Sequence, residues 1–300
     1  MHTKINYHEI IDRMGASIGA CVYRNTRLFG SSLACEPIRS ALGAMHTEIS
    51  GFQVGHWHDV KGFGLAGQYN AAYLVYRWEG FHVPTLLYIH GSGEQPKNFS
   101  RFSDNSFRSI FSKPCNRPLN LILLMAPFHE GTQSAYIRAL GHLNQYVGML
   151  ACTTVLVDTL AHQLRLEKCP EVYAAGFSLG GWVVNLHRAF FGRHITHYIP
   201  MCAGTRPEAV FLKSHYRKLT AASALANPEL LRDRLNFESE FLANETPDCR
   251  PLLFRYDQLV ELEEQLPGYR NLDVSIIDKG HFTGQQAIDE LRAHILTSLT

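Results

Sequence analysis

The chain has 300 residues, 46% hydrophobic and 18% charged, enough apolar side chain to bury one large core. Its 28 basic and 27 acidic side chains leave a formal net charge of +1, which excludes the strongly basic surface of a nucleic-acid-binding protein. Seven cysteines, with no pair at a metal-ligand spacing such as C-x-x-C, read as free thiols in a reducing compartment. Residues 1–13 are polar and carry no apolar signal core. No apolar run approaches the roughly 20 residues that span a bilayer, so no membrane span is expected and the expected location is cytoplasmic.

In chain order, residues 1–67 form an N-terminal segment of uncertain structure packed on the core. Residues 8–14 have the pattern of a short amphipathic helix, and 51–67, rich in Gly and His, read as turns with short strands. From residue 68 to the C-terminus a regular rhythm predicts one domain. Strands are expected at 71–77, 85–90, 119–126, 171–175, 195–202, 251–256 and 272–277, several of them nearly continuous apolar runs. Strands apolar on both faces belong to a buried, mostly parallel sheet. Between them, Val157, Leu160, Ala161 and Leu164, and later Ile288, Leu291, Ile295 and Leu299, recur at helix spacing. The fold class is therefore α/β: a mostly parallel central sheet flanked by helices. Residues 203–250 break the rhythm with two helix-like stretches, 207–219 and 228–242, and no clear strand. They read as a small helical cap above the carboxyl ends of the strands, where such sheets bind ligands.

The pattern G-x-S-x-G occurs at 15–19 and at 176–180. Its chemistry needs a strand, a tight turn that lifts the serine above the sheet, and then a helix. Ser178 meets that demand: residues 171–175 form the strand, Gly180 and Gly181 are small, and 182–187 begin a helix. Ser17 follows a helical pattern and precedes every expected sheet strand, so it is set aside. An activated serine also needs backbone N–H donors for a developing oxyanion. One should be Leu179, at the start of the helix; the other should be Ser92, or Gly91 one residue earlier, in His90-Gly91-Ser92-Gly93. His90 reads as a brace of that loop.

A serine hydroxyl needs a histidine to take its proton and a carboxylate to orient that histidine. His281 is the candidate base, on a glycine loop between the last strand and the C-terminal helix. Asp257, at the end of strand 251–256, is the candidate acid. Glu261, Glu263 and Glu264 read as an exposed helix face, Asp278 sits too near His281 along one strand end, and Arg255 is an alternative ion-pair partner for Asp257. The order of HGSG, GFSLG, Asp257 and His281 resembles the α/β-hydrolase superfamily over about residues 68–299. The resemblance implies an eight-stranded, mostly parallel sheet and acyl-enzyme chemistry without a cofactor.

The function expected is hydrolysis of a carboxylic ester or thioester in a small acyl substrate. An amidase or peptidase with the same triad, and a binding protein that kept the fold without activity, stay open, as does the oligomeric state. His129 and Glu130, after strand 119–126, are candidates for substrate contact. Phe211, Tyr216, Phe237 and Phe241 of the cap are candidates for an acyl pocket. His56 and His58 would share one face of a strand, but no third metal ligand is evident nearby, so no metal is expected. Cys152 and Cys202, in apolar stretches, read as buried small hydrophobes.

Overall fold

The structure, a computed structural model, describes residues 6–114, 117–244 and 248–299. Cys115 and residues 245–247, at the end of the expected cap, lie outside the described residues. The six other cysteines are free thiols.

Ten strands make one sheet among the described residues: β1 (His46–Thr47), β2 (Trp57–Gly64), β3 (Gly67–Arg77), β4 (Thr85–Ile89), β5 (Asn120–Met125), β6 (Val172–Phe177), β7 (His197–Met201), β8 (Asp248–Cys249), β9 (Leu252–Phe254) and β10 (Ser275–Ile277). Their order is β1-β2-β3-β5-β4-β6-β7-β9-β10, with β8 also on β7. Every pairing from β5 to β10 is parallel, while β1, β2 and β3 join antiparallel at one edge. β1 and β8 are only two residues long; the other eight match the number that the resemblance implies. β4, β5 and β6 are buried along their whole length, as strands covered on both faces must be.

Three expectations are corrected. Residues 57–64 are an eight-residue strand paired with β3 across a two-residue turn, Leu65-Ala66, so a division at 67/68 falls inside a hairpin. The signal was faint because of the two buried positions of β2, Val60 and Gly62, one is a glycine. A Cβ at Gly62 would lie 2.5 Å from the Cys152 sulfur. The N-terminal helix runs Tyr7–Val22, more than twice the expected length, with the Asn6 side chain accepting the His8 N–H at 3.1 Å as an N-cap does. The expected cap holds four short helices (Pro207–Leu212, Ala222–Leu225, Pro228–Leu235, Glu238–Ala243) and a 3-10 turn (His215–Leu219), but also β8.

One helix, Leu143–Leu166, is long and apolar enough by length and composition to cross a membrane, contrary to the expectation from apolar runs alone. Its apolar content is accounted for inside the fold, where 72% of its most apolar window is buried. Val157, Leu160, Ala161 and Leu164, the residues singled out by spacing, are all fully buried on it.

Leu160 is 0% exposed within this core. Leu160→Ala should lower the unfolding free energy by about 2–5 kcal/mol, read as an earlier denaturation midpoint; an unchanged midpoint would contradict the packing described.

Candidate active site

The carboxyl ends of the parallel strands gather the chemistry on one edge of the sheet. Ser178 follows β6, Cys202 follows β7, Asp257 lies three residues beyond β9, and His281 opens the helix His281–Gln285 after β10. The loop 90–94 follows β4.

Ser178 has φ +51° and ψ −108°, a conformation that a residue with a Cβ adopts at a cost of about 1–3 kcal/mol. The turn is held at both ends. The Ser178 N–H donates to Met201 O at 2.8 Å, and the Trp182 N–H donates to Ser178 O at 3.1 Å. Strand and helix touch through glycines: a Cβ on Gly176 would lie 2.3 Å from the Gly180 backbone, and one on Gly180 would lie 2.1 Å from Ile89 O.

Three of the residues chosen from sequence form one chain of contacts. Ser178 Oγ lies 3.2 Å from His281 Nε2, and His281 Nδ1 lies 2.8 Å from Asp257 Oδ2. A carboxylate only accepts, so the imidazole proton sits on Nδ1 and Nε2 faces Ser178 as an acceptor. The other Asp257 oxygen accepts the N–H groups of Leu259 and Val260, both at 2.7 Å. Burial alone would lower the His281 pKa. Asp257, and then a second carboxylate on Asp12, outweigh it and hold the value above the ordinary 6.5. Arg255 does not compete for Asp257, because it pairs with Asp278 at 2.6 Å.

The loop after β4 is braced from below. His90 accepts the Ala126 N–H on Nε2 at 3.1 Å and donates from Nδ1 to Gly91 O at 2.7 Å. Buried Glu94 accepts the Gly91 N–H at 2.8 Å, and the N–H and Oγ–H of Ser106 at 2.8 and 2.7 Å. Its burial raises its pKa to about 7. The Gly91 N–H is thereby occupied, whereas the Ser92 N–H carries no hydrogen bond among the described residues. Leu179 N–H belongs to the first turn of its helix and has no acceptor within it.

Ser92, Ser178, Leu179 and His281 line one cavity of about 100 Å³. Its walls include Leu140, Tyr146, Trp182, Val210, Phe211 and Tyr216; the last three residues come from the insertion after β7. Of the four cap aromatics, Phe211 and Tyr216 reach the cavity, while Phe237 and Phe241 are buried in packing away from it.

No family model and no curated protein match the chain. Solved structures do. Acetyl xylan esterase 1 from Thermoanaerobacterium sp. matches with a TM-score of 0.52 at 13% identity, over 86% of this chain and 90% of that one. An acetyl xylan esterase from a Paenibacillus species matches at 0.51 and 12%, over 94% of both chains. The acylaminoacyl peptidase of Pyrococcus horikoshii matches at 0.53 and 13%, over 85% of this chain and 41% of its own. The chain has the α/β-hydrolase fold.

Within this hydrolase fold, two residues chosen for substrate contact stand elsewhere. His129 and Glu130 do not line the cavity. His129 is buried, donates to Pro127 O at 2.9 Å and accepts the Gly93 N–H at 3.1 Å, and burial lowers its pKa to about 4. It braces the Gly91–Gly93 loop, while Glu130 is exposed. Ser17 lies on the N-terminal helix and donates to Arg13 O at 2.7 Å. His56 and His58 lie against the backbone carbonyls of Val54 and Gln53. Among the described residues, the one group of three possible metal ligands that converges is Cys202, Asp257 and His281, where two members already serve the contact with Ser178.

Two neighbours of the site were not legible. Cys202, read as a buried hydrophobe, donates its thiol to Asp257 Oδ2 at 3.0 Å and lies 3.3 Å from His281 Nδ1; burial, then Asp257, raise its pKa well above the ordinary value. Asp12 accepts the backbone N–H groups of His281, Gln258 and Phe282. An aspartate in an amphipathic helix ordinarily reads as a solvated residue, so nothing marked it.

Gly180→Ala should push the helix off β4, because the new methyl meets a backbone carbonyl rather than a flexible side chain. The expected result is loss of the Ser178–His281 geometry together with a lower melting temperature. A variant with unchanged melting and unchanged reactivity at Ser178 would refute the close approach.

Proposed function

We propose that the protein is a serine hydrolase that cleaves carboxylic esters of short acyl groups. The observation that carries this reading is the unbroken contact from Ser178 Oγ through His281 to Asp257, on a serine in a strained turn at a helix start. Ser178 Oγ attacks the ester carbonyl while His281 Nε2 takes its proton. Asp257 stabilises the imidazolium that forms. The negative oxygen of the tetrahedral intermediate is met by the N–H groups of Leu179 and Ser92. On collapse, the alkoxide leaves with the proton from His281, and the acyl group stays on Ser178. Water then repeats the attack with His281 as base, releasing the carboxylic acid and restoring the serine. No cofactor is required by these steps.

Cavity size supports a short acyl group. A dry cavity of about 150 Å³ holds one benzene ring, so about 100 Å³ here suits an acyl group of a few heavy atoms. The two similar acetyl xylan esterases also support an ester substrate.

A fluorophosphonate probe should label wild-type protein on the peptide carrying Ser178, and Ser178→Ala should lose both the label and about 10⁴-fold or more of kcat. Persistent labelling of that variant would reject the assignment. Aryl acetate or butyrate should exceed aryl octanoate in kcat/KM by roughly tenfold or more; aryl amides cleaved as fast as aryl esters would favour an amidase instead.

The reaction needs neutral His281, so kcat/KM should fall on acidification. Because Asp257 and Asp12 hold the imidazole pKa up, the midpoint should lie above 6.5. A rate that stays level down to about pH 5 would exclude a histidine base.

A further inference from the structure

We propose that Asp12 is a positioning residue of this site, tying the loop after β9 to the loop after β10 and so setting Asp257 and His281 in register with Ser178. The inference rests on the serine-hydrolase reading above and assigns a role to the N-terminal helix, a segment outside the stretch whose motifs resemble a hydrolase. Asp12 is 0% exposed. Its Oδ2 accepts the N–H of His281 at 2.7 Å and of Gln258 at 3.0 Å, and its Oδ1 accepts the N–H of Phe282 at 3.1 Å. Gln258 directly follows Asp257, and Phe282 directly follows His281. One side chain therefore holds the backbone beside both groups that activate the serine. Three N–H donors on two oxygens suit an ionised carboxylate, which only accepts.

The rest of the helix bears on the same two loops. His8 Nδ1 lies 2.7 Å from Thr283 Oγ1, Arg13 Nε donates to Gln258 Oε1 at 3.0 Å, and Gly15 faces the Phe282 ring so closely that a Cβ there would lie 2.3 Å from it. Asp12 does not line the cavity, so it acts through its neighbours and not on substrate.

Asp12 also adds charge. His281 is faced by Asp257 and the Cys202 thiol from strand ends, by the Ser178 hydroxyl, and by Asp12 from the helix. Asp12 is faced in turn by Asp257 and His8, with Lys279 and Asp278 beyond His8. Burial, then Asp257, raise the Asp12 pKa, and its three backbone bonds oppose them. Removing a negative charge beside His281 destabilises the imidazolium, so the acid limb of the rate profile moves to lower pH. A purely structural role would leave that limb in place.

The test is Asp12→Asn in the full chain, with folding followed by circular dichroism. With an aryl acetate, kcat should fall about ten- to hundredfold while KM stays within about twofold, and the acid limb should shift downward. A folded variant with wild-type kcat and an unmoved acid limb would overturn the proposal. Should Asp12→Asn not fold, Gly280→Ala tests the same contact, since its methyl would meet the Asp12 carboxylate oxygens at 2.8 and 2.9 Å; kcat should fall with KM held, and an unchanged kcat would overturn the clamp. Fluorophosphonate mapping of the wild type runs in parallel. Label at Ser178 beside an unaffected Asp12 variant rejects the clamp alone, whereas an unlabelled wild type rejects the hydrolase reading beneath it.

Discussion

The distance between β6 and the helix Leu179–Phe190 controls the rest of the site. Gly176 of β6 meets the Gly180 backbone, and Gly180 in turn meets Ile89 of β4, with no room for a methyl at either glycine. That contact forces the intervening turn to be tight, which puts Ser178 at positive φ. Such strain persists only where the surroundings over-determine it. Here the surroundings are two backbone hydrogen bonds, one to β7 and one into the helix, and a sheet whose central strands are buried throughout. The buried apolar core and the strand-end edge that carries Ser178 are thus parts of one structure: the core supplies the rigidity with which the turn is held.

What reaches Ser178 from the other side is set by short segments that cannot fold alone. β9 and β10 are three residues each, and the helix that begins at His281 is five. Their register relative to Ser178 comes from buried polar bonds: Asp257 to the N–H groups of Leu259 and Val260, and Asp12 to those of Gln258, His281 and Phe282. Buried N–H groups must find acceptors, and for these five the acceptors are carboxylates rather than neighbouring strands. The loop after β4 follows the same logic, with His90, His129 and Glu94 taking or giving the bonds that a longer strand would supply.

Legibility in the sequence tracked how local the signal was. β4, β5 and β6 were visible because strands buried on both faces are continuous apolar runs, and the serine turn was visible because its glycines and strand-to-helix context lie within ten residues. Asp257 and His281 could be placed beside Ser178 because both follow strand ends on the same edge of the sheet. β2 was blurred because Gly62 faces the Cys152 sulfur and leaves Val60 as its lone fully apolar inward residue. The membrane-length apolar character of Leu143–Leu166 was missed because Asn144, Thr153, Thr154 and Asp158 interrupt any single run, although the helix as a whole is apolar. The place of His129 was not legible because a buried histidine bracing a loop and one facing the cavity look alike in sequence. Asp12 and Cys202 had no signal, because their partners lie more than 50 residues away and their meaning arises only from packing.

Charge is distributed unevenly around the cavity. On the imidazole side stand two buried carboxylates, Asp257 and Asp12, and a thiol whose raised pKa keeps it neutral, so a positive imidazolium is favoured as soon as it forms. On the opposite side the one carboxylate, Glu94, has all its bonds directed into the loop backbone and Ser106, and burial lifts its pKa to about 7. A fixed negative charge there would oppose an oxyanion near Ser92 and Leu179, and the raised pKa weakens that opposition. The field therefore runs from a region that stabilises positive charge to one that tolerates negative charge. That is the separation which the proposed proton transfer from Ser178 to His281, with a carbonyl oxygen becoming anionic, would require.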